Sequence, residues 1–152
     1  DNGLIPAALY LAYSVTGNPK YLAVAEKSRL FLESKCFRED WLSLIGNKRW
    51  LRFDSDYELF AQQPIDAMAT MMFLYKSAHL ATAQNAHIEK LIRCHQWFMG
   101  DNDLNISLYD QHTKGCNDGI ENNTINQNQG AESLIAWLLA QLLVHPYVNP
   151  TA

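Results

Sequence analysis

The fold turns on LIPAALYLAYSVTGNPKYLAVAEKSRLFLESK, residues 4–35. Its first half, 4–16, is apolar almost all round, the pattern of a helix covered on most sides. Gly17 suits the left-handed position just past a helix end. Asn18-Pro19 then gives a capping side chain followed by proline at the first helical position. A second helix therefore runs over about 19–35, with Leu22, Ala25 and Leu32 on an apolar face and Glu26, Lys27, Arg29 and Glu33 on a solvated one. Two helices joined by so short a turn make an αα-hairpin.

Working outward, the same plan recurs. Sliding the chain by 66 residues lays Ala12 on Ala78, Thr16 on Thr82, Leu22 on Ile88, Phe31 on Trp97 and Leu32 on Phe98. A third helix opens at Gln62-Gln63-Pro64 and runs to about Leu80, with Ile65, Met68, Met72 and Tyr75 at helical spacing and a Met68/Met71/Met72 stripe read as core. A fourth covers about 85–99 with Ile88, Leu91, Ile92 and Phe98 inward, and a fifth covers about 130–144 and is apolar nearly all round. No strand pattern competes. The expectation is an all-α fold, an antiparallel αα-hairpin array with helices one, three and five deeper than two and four.

Two stretches interrupt the helices. Residues 37–61 hold Trp41, Trp50, Phe53, Tyr57 and Phe60, read mainly as rings that pin a long loop to the core and secondarily as platforms for sugar faces. The connection between Trp97 and Ser133 is about thirty residues long, which in a compact domain usually signals function or disorder. Its anchoring Leu104, Ile106, Leu108, Tyr109, Ile120 and Ile125 argue for order. Its many Asn, Asp and Gln side chains can bond local backbone, and they also suit sugar hydroxyls. An ordered 101–130 loop packed near the starts of helices three and five is expected.

Composition narrows the classes. The 152 residues carry a formal net charge of −4, with 48% hydrophobic and 18% charged residues, so one globular domain is expected over 1–152. The acidic balance argues against a nucleic-acid partner, and Lys48, Arg49 and Arg52 read as a solvated face. Three unpaired-looking cysteines, Cys36, Cys94 and Cys116, favour a reducing compartment, hence a cytoplasmic location. The apolar run Leu134–Val144 is short for a bilayer span, so no membrane partner is expected. His87, Cys94 and His95 lie near one helical face but lack a partner cluster, and no metal or other cofactor is expected. Opening at Asp1 and entering a helix at once, the chain reads as a piece of a longer protein.

QQPIDA at 62–67, WFMGDND at 97–103, LYD at 108–110, GCNDG at 115–119 and NQNQGAES at 126–133 resemble the helical region found C-terminal to some bacterial glycosyltransferases. That region is similar in plan to the six-hairpin (α/α) toroid glycosidases. The resemblance covers about 60–145 well and 1–36 through the TGNPKYL hairpin. It implies a partial (α/α)6 toroid-like array and carbohydrate metabolism, with a covalently linked glycosyltransferase domain or a homodimer as the further partner. The pattern it resembles usually has Glu where this chain has Gln62; were that position catalytic, this copy would be impaired.

Glycoside hydrolysis needs two carboxyl groups across one bond. Asp118, Glu132 and Asp66 are the candidate catalytic groups; Asn126, Asn128, Gln129, Asp110 and Gln63 are the candidate sugar-binding ones. Asp66 and Glu132 both fall in first turns of helices, where the dipole alone favours an acid. The leading expectation is a glycoside hydrolase-like module; the alternative is a non-catalytic carbohydrate-binding or scaffolding module. A shared carboxylate cleft would favour the first, and carboxylates spent on caps and turns the second.

Overall fold

The computed structural model describes residues 2–49, 51–52, 56–80 and 84–148. Five helices dominate: α1 Leu4–Thr16, α2 Pro19–Cys36, α3 Pro64–Ala78, α4 Gln84–Met99 and α5 Ala131–Val148. A two-stranded antiparallel ribbon, β1 Gly119–Ile120 and β2 Ile125–Asn126, sits in the last long connection. The chain is all-α in class. Gly17 ends α1 at φ 68, its N–H bonding Tyr13 O, and the Asn18 side chain accepts from Lys20 N at 3.1 Å to start α2. The boundary between α1 and α2 therefore falls where glycine, asparagine and proline direct it, whereas α5 runs on through Pro146 to Val148, past the expected end at about 144.

α3 is the centre. It packs against α1, α4 and α5, while α2 covers α1 and α4 also touches α5. Ten of its fifteen residues are buried, including Met68, Met71, Phe73 and Leu74. The core continues through Tyr10, Leu91, Trp97, Phe98, Leu108, Ile120 and Val144. Trp97 meets Phe98 edge-on at 5.2 Å between centroids, and Trp137 is stacked between His95 and Tyr109. Both rings in the Trp97-Phe98 pair are fully buried.

Two expectations about depth are corrected. α1 and α5 are no deeper than the helices paired with them. Ile5, Leu11 and Val15 on α1, and Ile135, Leu138 and Leu142 on α5, face outward, Val15 at 78% exposure and Leu142 at 70%. The reason is position: α3 packs against three helices, whereas α1 and α5 each pack against two. α5 also runs to Val148, giving an 18-residue helix long and apolar enough, by length and composition, to cross a membrane; its Ser133, Ala136, Trp137, Ala140 and Val144 are buried in the fold.

The second correction concerns α2. Part of its expected solvated face is turned inward: Arg29 and Glu33 are buried and Lys27 stays exposed, while Leu22, Ala25 and Leu32 face the core as expected and Leu30 and Phe31 are more than half exposed. Pairing makes this tolerable. Arg29 donates to Glu33 at 2.7 Å and to Glu26 at 2.6 Å, Lys90 of α4 reaches Glu33, and Tyr10 of α1 donates to Glu26. Two cations and two carboxylates cancel, and each has a hydrogen-bonded partner, the condition under which buried charge is sustained. Burial tends to raise the Glu26 carboxyl, but the Arg29 and Tyr10 hydrogen bonds outweigh it and hold the group below its ordinary value. Burial pushes the Tyr10 hydroxyl up, with Glu26 adding to the effect. Nearby, His87 is buried against Ser77, 2.7 Å from its hydroxyl.

The 66-residue repeat relates α2 to α4 but not their environments. Trp97 is fully buried, whereas its counterpart Phe31 is half exposed. Thr82 of the repeat lies outside the described residues. Of the loop aromatics, Trp41 donates to Asp103 at 3.1 Å, Tyr57 donates to Lys35 O at 3.0 Å, and Phe60 packs against the core. These three anchor the 37–61 segment; Trp50 and Phe53 lie outside the described residues.

Candidate functional site

The long connection is tied down at each step. Buried Asn102 donates to both Trp97 O and Ile106 O at 2.8 Å, forming a side-chain cross-brace just after α4. Leu108 N bonds Phe98 O at 2.9 Å, and Tyr109 pairs with Cys116. Ile120 then pairs with Gln62 through both backbone bonds, 3.1 and 3.0 Å, which docks the β1–β2 ribbon on the residues that lead into α3. Gly119 allows this approach, since a Cβ there would lie 2.2 Å from Gln62 O. The loop thus packs at the starts of α3 and α5.

Asp118 is the knot of this arrangement. Its carboxylate accepts from Gly130 N at 2.8 Å, from Ser133 Oγ at 2.6 Å and from the Asn128 amide. These donors are the loop before α5 and the first turn of α5 itself, where backbone N–H groups lack helical partners. Burial raises the Asp118 carboxyl, but Ser133, Asn128 and Gly130 outweigh it and the net direction is down. A carboxyl held ionised by three donors is a cap, the opposite of what a protonated acid catalyst requires.

The other candidates are distributed. Asp110 accepts from His112 N at 2.8 Å within its own turn, and that bond foremost lowers its carboxyl. Gln129 accepts from Thr113 Oγ1 at 2.8 Å, and the Asn126 side chain accepts from Asn128 N at 3.1 Å. Asp110, Asn128 and Gln129, with Asn117, line a shallow polar cleft of about 560 Å³ on the loop. Glu132 is exposed on the first turn of α5. Gln63 precedes α3 and accepts from Asn47 Nδ2 at 2.8 Å. Asp66 lines a different, larger groove, with Asn47 Nδ2 at 3.4 Å. Asp66, Asp118 and Glu132 are therefore not brought to one cleft.

That larger groove, about 1150 Å³, runs between α2, the start of α1, the first turns of α3 and the segment 44–52. Ile5, Pro6, Leu32 and Leu44 are among its apolar lining residues. Lys27, Lys35, Arg49 and Arg52 stand around it, and Asp66 is the single carboxylate among its described lining residues. The sequence reading missed this groove, although one signal was present: Lys27, Phe31 and Lys35 are spaced i, i+4, i+8 and share a helix face.

Gln62 stands where the resembled pattern usually has Glu, and in this chain it has a structural role. It is fully buried and uses its whole hydrogen-bonding capacity. Its Oε1 accepts from Trp97 Nε1 at 3.1 Å and Leu44 N at 3.2 Å; its Nε2 donates to Leu59 O at 2.8 Å and Asp103 Oδ2 at 2.6 Å. It joins α4, the 42–44 segment and the long loop, and it lines neither cavity.

The three cysteines are buried, and burial raises each thiol: Cys36 to about 11, Cys116 to about 12 and Cys94 well above its ordinary value. Among the described residues no group of three His, Cys, Asp or Glu side chains could hold a metal ion. His87 faces Ser77 and His95 faces Gln141 at 2.6 Å.

The chain matches no family model and no curated protein.

Proposed function

We propose that this chain is a non-catalytic carbohydrate-binding module whose ligand lies in the groove between α2 and the start of α3. One observation carries the choice of module over hydrolase: among the described residues the groove holds one carboxylate, Asp66, and hydrolysis requires two. Of the remaining candidates, Asp118 caps α5, Asp110 is held in its own turn, and Glu132 stands exposed on the first turn of α5 and does not line the groove. An exposed ring, Phe31, beside amide and carboxylate groups suits the apolar face and hydroxyl edge of a sugar.

On this reading the five helices are part of a toroid-like array associated with a bacterial glycosyltransferase. Further hairpins of that array, or a second copy in a homodimer, would cover the apolar flanks of α1 and α5. A cytoplasmic location without membrane or nucleic-acid partners belongs to the same proposal. The test is a glycan-binding and hydrolysis screen on the full-length protein beside Asp66→Asn and Phe31→Ala. Binding weakened by Phe31→Ala, with no hydrolysis in the parent, supports the reading. Turnover that disappears in Asp66→Asn would replace it with the hydrolase-like alternative.

A further inference from the structure

The groove is electrostatically unlike the chain that builds it. The protein as a whole carries a formal charge of −4, yet the described groove lining holds four cations and one carboxylate. Arg49 is engaged with Glu58 at 3.3 Å. Lys27, Lys35 and Arg52 have no ion-pair partner among the described residues, and Asp66 is already in contact with Asn47. Cations without an ion-pair partner among the described residues, gathered around a concave groove, raise the local concentration of anions.

The geometry along α2 adds a spacing. Lys27, Phe31 and Lys35 follow one another at one helical turn each, so the exposed ring lies between two ammonium groups on one face. Eight residues of helix rise separate the two lysine Cα atoms by about 12 Å. Arg52 contributes from the loop segment that lines the same groove. A neutral sugar has use for the ring but none for the three cations. Asn47 and Asp66 add an amide and a carboxylate to the same lining, groups that suit the hydroxyls of a sugar.

We infer that the groove binds an acidic saccharide, a sugar ring stacking on Phe31 while its anionic substituents pair with Lys27, Lys35 and Arg52. This rests on the carbohydrate-binding reading and specifies its ligand class. The anion, carboxylate or phosphate, is common chemistry to both possible sources, and two probe pairs separate them.

The experiment is calorimetric titration of the full-length protein with trigalacturonate against its full methyl ester, and with glucose 1-phosphate against glucose, each at low and at physiological salt. The anionic member of at least one pair binds about tenfold tighter than its neutral mate, the worth of about two solvent-exposed ion pairs, and the margin shrinks with salt. The pair that shows the margin names the anion. A Lys27→Gln/Arg52→Gln double variant removes the margin and leaves the unfolding midpoint unchanged, because neither side chain has an ion-pair partner among the described residues. Equal binding of acid and neutral members, or a double variant that keeps the margin, overturns the acidic-ligand inference while the sugar-binding reading stands. No binding of any of the four probes, with a broad glycan array also blank, overturns both.

Discussion

Replacing Gln62 by Glu changes one NH₂ to an oxygen in a site where all four hydrogen bonds are made. The Oε1 side is untouched, since Trp97 Nε1 and Leu44 N still find an acceptor. The other side is reversed: Leu59 O and the Asp103 carboxylate, now 2.8 and 2.6 Å from a donor, would each face an acceptor. The folded protein can relieve this by taking up a proton, which restores one donor and leaves one bond missing. At pH 7, protonating a carboxyl of ordinary pKa near 4.3 costs about 3.7 kcal/mol, and the lost neutral bond adds about 1 kcal/mol. The expected deficit for Gln62→Glu is therefore about 3–5 kcal/mol at pH 7, the range measured when a buried charge is left uncompensated.

The sign with pH follows. The new carboxyl is raised in the folded state, so the variant approaches the parent below about pH 4.3, where the unfolded chain is protonated too. Its deficit then grows as pH rises, by about 1.4 kcal/mol per unit, until the folded group ionises. Urea unfolding of parent and Gln62→Glu at two pH values reads this directly. Gln62→Leu is the control, removing all four bonds and giving a deficit that does not carry this pH slope. A Gln62→Glu variant as stable as the parent at neutral pH, or one whose deficit is the same in acid, would refute the four-bond assignment.

Trp97→Ala removes a fully buried ring and its bond to Gln62, and unfolding measurements should show a loss of about 3–5 kcal/mol. Asp118→Asn keeps shape but weakens a three-donor cap; a loss of about 1–2 kcal/mol by thermal or urea unfolding is expected, with binding in the α2 groove retained. Burial foremost lowers the imidazoles of His87 and His95 from 6.5, so their contribution is full above about pH 6.5 and fades as pH falls below it; His87→Gln/His95→Gln should flatten the decline in unfolding free energy between about pH 7 and 5. The buried thiols should stay inert to a thiol reagent in the native protein and react in denaturant, measured by absorbance.

The sequence by itself determined the five helices and their starts, though not the end of α5, which runs past about 144 to Val148. Gly17, Asn18-Pro19 and Gln63-Pro64 act through local dihedral and capping chemistry, which needs no knowledge of neighbours, and the structure ends its helices there. Order in the long loop was legible for the same reason: Leu108 and Ile120 were spaced as anchors and are fully buried. Only the tertiary structure decided which face of each helix was inside. Charge on α2 read as solvated because a single helix cannot show that Glu26 and Glu33 will meet Tyr10 and Lys90 from two other helices. Apolar α1 and α5 read as deep because composition does not say how many sides have a neighbour. The candidate carboxylates shared motif blocks but not a lining, since Asp118 is taken up by the donors before α5 while Asp66 lines the α2 groove. Gln62 looked like a lost acid in one dimension; in three it is a buried amide that donates twice and accepts twice, to and from partners 3 to 41 residues away in the chain.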